Sequence, residues 1–262
     1  MTYTVGFIGS RDEGAPIARA IADNGYPLHV VDEPAGADLP GLARISDVVG
    51  LFLDDAGNSR TLVDDGLLKA MRPGSAVVNF ANGLPEEARR LAGISTPYGV
   101  TFLDVPVSGG PVAAQNRQLT AIAGGDTATV SRLGPLFASF ATTVVHVGPS
   151  GCGQQAKLVS DALMAMNHQN ALEVLRLAVA LGVPVPGLLE VLRSGSAGSV
   201  ALAAVGPVIT TGNAGHFQEL ELDDLRLFGE AVEHLGASAS PVVDRAVAGA
   251  QNLTELTALV TG

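Results

Sequence analysis

Short apolar runs separated by polar, glycine-bearing turns fill the first part of the chain, and longer helix-period patterns fill the rest. Thr2 to Ile8 reads as a buried first strand ending at Gly9. Pro16 to Asn24 has the spacing of a helix closed by Gly25. Further strands are expected at Pro27–Val31, Asp47–Leu53, Ala76–Phe80, Val100–Asp104, Leu119–Ala123 and Thr142–Val147, with helices at Ser59–Met71 and Pro85–Ala92 between them. Strands alternating with helices predict βαβ units and a mostly parallel sheet, and continuous apolar strands suit a sheet covered on both faces.

After Gly148-Pro149-Ser150-Gly151 the texture changes. One long helical pattern runs from Gln154 to Leu181 without Pro or Gly, and Gly182 and Pro184 end it. Pro186–Leu192, Val200–Ile209, Leu220–Leu235 and Pro241–Val260 read as further helices. The expected fold class is α/β. A Rossmann-type, mostly parallel sheet domain (residues 1–150) is followed by an all-helical C-terminal domain (residues 151–262) with a long interdomain helix.

Composition narrows the function classes. Of 262 residues 47% are hydrophobic and 16% charged, enough apolar material for a sizeable core. Trp is absent and aromatics make up 4%, so Ala, Val and Leu must fill that core. The net charge is -11 and no Lys/Arg cluster stands out, which argues against a nucleic-acid partner. No apolar run approaches the length of a membrane span, and the start of the chain has no secretory pattern, so a cytoplasmic protein without a membrane partner is expected. The single cysteine, Cys152, excludes an intrachain disulfide, and zinc-ligand spacing is missing, so no metal site is expected.

Four segments carry candidate chemistry. The first strand leads into Gly9-Ser10-Arg11-Asp12-Glu13-Gly14, at the place of a dinucleotide fingerprint G-x-G-x-x-G. There the first Gly permits the turn, the second admits the pyrophosphate and the third lets helix pack on strand. Gly9, Ser10, Arg11 and Gly14 are the candidate cofactor contacts, and a scaffold that has lost its cofactor is the competing reading. Asp32, after the second strand, suits the ribose hydroxyls of NAD or is an ordinary helix cap. Ser108-Gly109-Gly110 offers backbone N–H groups and a hydroxyl to a carboxylate, or is a plain glycine turn. Lys157, one of only two lysines in the chain, stands near the start of the long apolar helix with Asp161 four residues on, on the same face. Burial weakens an ammonium's hold on its proton, so such a lysine can act as acid, base or Schiff-base former; a structural ion pair with Asp161 remains the alternative. His168 lies about three turns beyond Lys157 on roughly the same face; it reads as a packed or interface histidine, with a cleft-lining role as the alternative.

Taken in order, residues 6–26 (GFIGSRDEGAPIARAIADNGY), 101–126 (TFLDVPVSGGPVAAQNRQLTAIAGGD), 151–163 (GCGQQAKLVSDAL) and 217–227 (FQELELDDLRL) resemble the β-hydroxyacid dehydrogenase family. That family includes 3-hydroxyisobutyrate dehydrogenase and is related to 6-phosphogluconate dehydrogenase. The resemblance covers nearly the whole chain. It implies an NAD- or NADP-dependent enzyme, usually dimeric, acting on a small hydroxy acid. Lys157 falls on the family's catalytic lysine, Ser108, Gly109 and Gly110 on its substrate-carboxylate loop, and Asp161 on a substrate-binding Asn.

The departures cluster on cofactor contacts. Arg11 replaces the second glycine, Asp12 and Glu13 replace a neutral pair, and Asp54 stands where Pro is frequent. Asn79-Phe80-Ala81-Asn82 replaces D-x-S-T, and Asp223 replaces a lysine that reaches the cofactor. A carboxylate brought close to a diphosphate costs about 1 kcal/mol or more. Two functions therefore stay open. One is a divergent NAD(P)-dependent oxidoreductase using Lys157 as acid–base. The other is a cofactor-independent lyase, isomerase, decarboxylase or binding protein on the same scaffold. The apolar long helix points to a homodimer.

Overall fold

The computed structural model describes residues 3–9 and 14–262. The chain divides into two compact units, Met1–Lys157 and Leu158–Gly262. In the first unit β1 (Val5–Ile8), α1 (Gly14–Asp23) and β2 (Leu28–Val31) form the opening βαβ unit. Next come α2 (Leu39–Ile45), β3 (Val48–Leu51), α3 (Asp55–Ser59), a π-helical turn at Arg60–Asp64, α4 (Leu67–Ala70), β4 (Ala76–Asn79), α5 (Pro85–Ser95) and β5 (Thr101–Asp104). The unit continues with β6 (Val107–Ser108), α6 (Gly110–Gln115), β7 (Leu119–Gly124), α7 (Thr127–Phe137) and β8 (Ala141–Gly148).

The described strands form one eight-stranded sheet in the order β2-β1-β3-β4-β5-β7-β6, with β8 also pairing β7. β2, β1, β3, β4 and β5 run parallel, β7 is antiparallel to β5 and β6, and β8 is parallel to β7. Alternating strand residues feed two separate cores. Val5, Phe7, Val48, Ala76 and Val78 pack with α1 and α7 around Phe80, Phe137 and Phe140. Ile8, Val49, Leu51 and Val77 pack with α2, α4 and α5. Layers on both faces explain why these strands read as continuous apolar runs.

The second unit is helical. The long helix α8 (Cys152–Ala180) runs across the division at 157/158 and is followed by α9 (Val185–Ser194), α10 (Val200–Ala204), α11 (Ala214–Val232), α12 (Ser240–Gln251) and α13 (Leu253–Thr261). One core forms around Leu172, Leu175, Leu202 and Leu256, another around Leu158, Ala165, Phe228 and Ala246. Gly249 lets α12 sit directly on α8, since a Cβ there would lie 1.8 Å from the Ala165 carbonyl oxygen.

Several elements differ from expectation. Ser59–Met71 is not one helix, because Gly66 adopts φ +78 and interrupts it before α4. Helix α10 stops at Ala204, where Val205 bridges Ile209. The pattern over Pro241–Val260 is two helices broken at Asn252. The Gly124-Gly125-Asp126 turn is followed by an unforeseen helix, α7, whose first turn Asp126 caps by accepting from the Thr129 N–H at 2.8 Å. Among the described residues no helix is long and apolar enough to cross a membrane, and no group of three or more His, Cys, Asp or Glu could hold a metal ion.

Candidate active site

The chain runs from β1 to β2 on one side of the sheet and returns to β3 on the other, so the strand order reverses between β1 and β3. Ligands of open α/β sheets bind beyond the carboxyl ends of the strands at such a switch point. Gly9 and Asp32 follow the carboxyl ends of β1 and β2 directly. Gly9 has φ +83, and a Cβ on it would lie 2.3 Å from the Phe52 carbonyl oxygen. A Cβ on Gly14 would lie 2.5 Å from the Gly9 carbonyl oxygen. These two glycines meet the tight-turn and close-packing requirements of a dinucleotide loop, so this part of the site fits the cofactor. Ser10 and Arg11, with Asp12 and Glu13, lie outside the described residues.

Two of the departures, at Asp54 and Asn79, have local explanations. The Asp54 carboxylate caps α3, accepting the Gly57 N–H at 2.6 Å. Asp55 accepts the Leu84 N–H at 2.8 Å. The Asn79 side chain folds onto the backbone of Ala81, accepting its N–H at 3.1 Å and donating to its carbonyl at 3.3 Å. These polar groups are engaged in shaping the loops after β3 and β4. Asp223 lies exposed on α11.

The candidate substrate loop follows β6. Ser108 pairs with Thr120 of β7, and Gly109 and Gly110 both have positive φ, +133 and +71, at the entry to α6. Both glycines are exposed.

Lys157 is buried, with 7% of its surface exposed, and so is Asp161 one turn further along α8. The start of this helix is tied to the sheet. Asp104, wholly buried at the end of β5, accepts the Gly151 N–H at 2.9 Å and the Gln154 N–H at 3.0 Å. Burial pushes the Asp104 carboxyl above the usual carboxylate range, and the N–H groups of Gly151, Gln154 and Gly153 oppose that shift. The buried Gln154 side chain accepts the Gly83 N–H at 3.0 Å and donates to the Ala81 carbonyl at 2.8 Å. Sequence reasoning assigned no role to Asp104 or Gln154. The available signals were a charge ending the apolar run of β5 and an amide directly after Gly153.

In the helical unit His168 is 1% exposed, and its Nδ1 lies 3.3 Å from Oε2 of buried Glu221 on α11. Its Nε2 has no partner among the described residues. The histidine is packed, as its position suggested, but its acidic partner was not foreseen.

Comparison with known proteins decides the family. Residues 4–148 match the NAD-binding domain of 6-phosphogluconate dehydrogenase, and residues 151–253 match the NAD-binding region of NADP-dependent 3-hydroxyisobutyrate dehydrogenase. The chain belongs to the β-hydroxyacid dehydrogenase family. It is 32% identical to an NAD-dependent L-serine dehydrogenase of Pseudomonas aeruginosa, over 91% of this chain and 88% of that protein. A 2-hydroxy-3-oxopropionate reductase of Escherichia coli is 29% identical over 85% of this chain and 82% of that protein. The solved structure of a Mycobacterium tuberculosis 3-hydroxyisobutyrate dehydrogenase with L-serine superposes with a TM-score of 0.85 at 25% identity. It covers 99% of this chain and 98% of its own. As a β-hydroxyacid dehydrogenase the protein is an NAD(P)-dependent oxidoreductase whose cofactor is NAD or NADP. Nothing in these relatives favours the cofactor-independent alternative.

Proposed function

We propose that the protein interconverts a small hydroxy acid and its oxo form, with Lys157 as the acid–base that moves the proton of the substrate hydroxyl. The bound dinucleotide would supply hydride acceptance and donation. The observation that carries this reading is a buried lysine near the start of α8, a helix whose first turn is hydrogen-bonded to the carboxyl end of β5. A general acid–base must be held in place as well as protonated correctly. Ser108, Gly109 and Gly110 would hold the substrate carboxylate through hydroxyl and N–H groups, and Asp161 would face another polar group of the substrate. Gly9, Ser10, Arg11, Gly14 and Asp32 would contact the cofactor. Asp32 at the end of β2 supports NAD over NADP, because a carboxylate accepts ribose hydroxyls and repels a phosphate.

A homodimer belongs to the same proposal. Val159, Leu163, Val174, Leu177 and Leu181 are all exposed along α8 and at its end, a stripe of large apolar side chains suited to a second copy. A cytoplasmic setting, where nicotinamide cofactors are pooled, completes it.

The test is calorimetric titration with NADH and NADPH, followed by turnover of L-serine and 3-hydroxyisobutyrate with the preferred oxidised cofactor. Micromolar, saturable binding of NADH in preference to NADPH is expected. Lys157→Met is expected to lower kcat by roughly 100- to 10,000-fold with NADH affinity unchanged. Full activity in that variant would remove the lysine from the chemistry.

A further inference from the structure

The start of α8 is built unlike an ordinary helix N-terminus. A capping side chain normally sits on the residue that begins the helix and accepts an N–H from the first turn. Gly151 has no side chain to do this, and its φ of +90 places it in the left-handed region. Asp104, distant in sequence, takes over the task. One oxygen accepts the Gly151 N–H and the other accepts the Gln154 N–H.

The packing around that carboxylate leaves no slack. A Cβ on Gly124 would lie 2.7 Å from both Asp104 oxygens and 2.6 Å from the Gly153 nitrogen. A Cβ on Gly153 would lie 2.4 Å from the Asp104 carbonyl oxygen, 2.7 Å from the Ile122 carbonyl oxygen and 2.8 Å from Oδ2 of Asp104. Both positions must be glycine for the helix start to reach the carboxylate. Gln154 adds a second tie, to the loop after β4.

The clamp joins the two chain segments that lead to the proposed functional residues. Lys157 lies three residues beyond Gln154 in the same helix, and Ser108 lies four residues beyond Asp104 along the chain. We propose that Asp104 is a positioning residue of the active site: its two oxygens clamp the first turn of α8 to the end of β5 and so register Lys157 against the Ser108 loop. The proposal rests on the reading of Lys157 as the acid–base.

Two acceptor oxygens are required by this geometry. An amide at position 104 would keep one acceptor and turn an NH2 donor toward an N–H that needs an acceptor. A negative group also complements the positive end of the helix. Keeping a carboxylate in a buried place opposes its own solvation, which is the origin of its raised pKa. A side chain that merely filled this space would not need to be ionisable.

The test combines Asp104→Asn, Gly153→Ala and Lys157→Met with amide hydrogen exchange on the wild-type protein. In the wild type, the Gly151 and Gln154 amides are expected to exchange slowly, although first-turn N–H groups have no intrahelical partner. Asp104→Asn is expected to lower kcat for L-serine or 3-hydroxyisobutyrate by about 100-fold, the scale of a small misplacement of a catalytic group. NADH affinity should not change, and faster exchange should be confined to residues 151–157. Gly153→Ala, which leaves the carboxylate in place but pushes the helix start away, should lower kcat in the same sense. It serves as the functional test where the Asn variant does not fold. Wild-type kcat in folded Asp104→Asn or Gly153→Ala protein overturns the proposal, as does rapid exchange at Gly151 and Gln154 in the wild type. Full activity in Lys157→Met overturns the acid–base reading first, and the exchange data then still report whether the clamp exists.

Discussion

At the scale of single residues, carboxylates in this chain do several different things, and their surroundings decide which. Asp104 is buried, and desolvation raises its proton affinity. Asp126 stands at the surface, where hydrogen bonds from the Thr129 hydroxyl and then the Thr129 N–H hold its carboxyl below the usual range. A carboxyl with a lowered folded-state pKa adds stability above its unfolded value and loses it as the pH falls through the folded one. Asp126→Asn should therefore lower the urea midpoint at pH 7, and the difference from wild type should disappear once the pH is below the folded value. A pH-independent difference would mean that the cap acts through shape rather than charge. Asp54 illustrates the limit of reading charge from sequence. It counted among the departures that oppose a diphosphate, whereas its carboxylate is held by the Gly57 N–H as the cap of α3.

At the scale of elements, α8 is the member whose two faces matter most. Its buried side carries Leu158, Ala162, Ala165, Leu172 and Leu175, at the spacing of a core-facing helix. The same side buries His168 against Glu221 of α11. Replacing one member of a buried polar pair strands the other, while replacing both by apolar residues of similar size is often tolerated. His168→Leu is expected to destabilise the protein by roughly 2–4 kcal/mol, and the double variant His168→Leu/Glu221→Met to recover at least half of that, by urea denaturation. Equal losses in the single and double variants would show that the pair is not energetically coupled. The helix itself was legible in the sequence from a long apolar period without Pro or Gly. Its pairing was not, because a residue on one helix does not specify its neighbour on another.

At the scale of the whole molecule, the exposed side of α8 bears on assembly. Leu163→Glu combined with Leu177→Glu, both at exposed positions, should convert a dimer to a monomer in light scattering without loss of helical signal. A monomeric wild type would overturn the proposed dimer. The sequence by itself determined the fold class and family: continuous apolar strands between helices, a change of texture after Gly148, and four ordered segments that include Gly9, Ser108 and Lys157. These are local patterns, set by period, turn chemistry and spacing, and they survive without knowledge of contacts. Tertiary structure alone decided that Asp104 caps a helix 47 residues away, that Gln154 joins the loop after β4, and that Glu221 faces His168. It also decided that Gly66 breaks an expected helix. Such contacts depend on strand order and helix docking, which bring together residues whose sequence neighbourhoods carry no trace of one another.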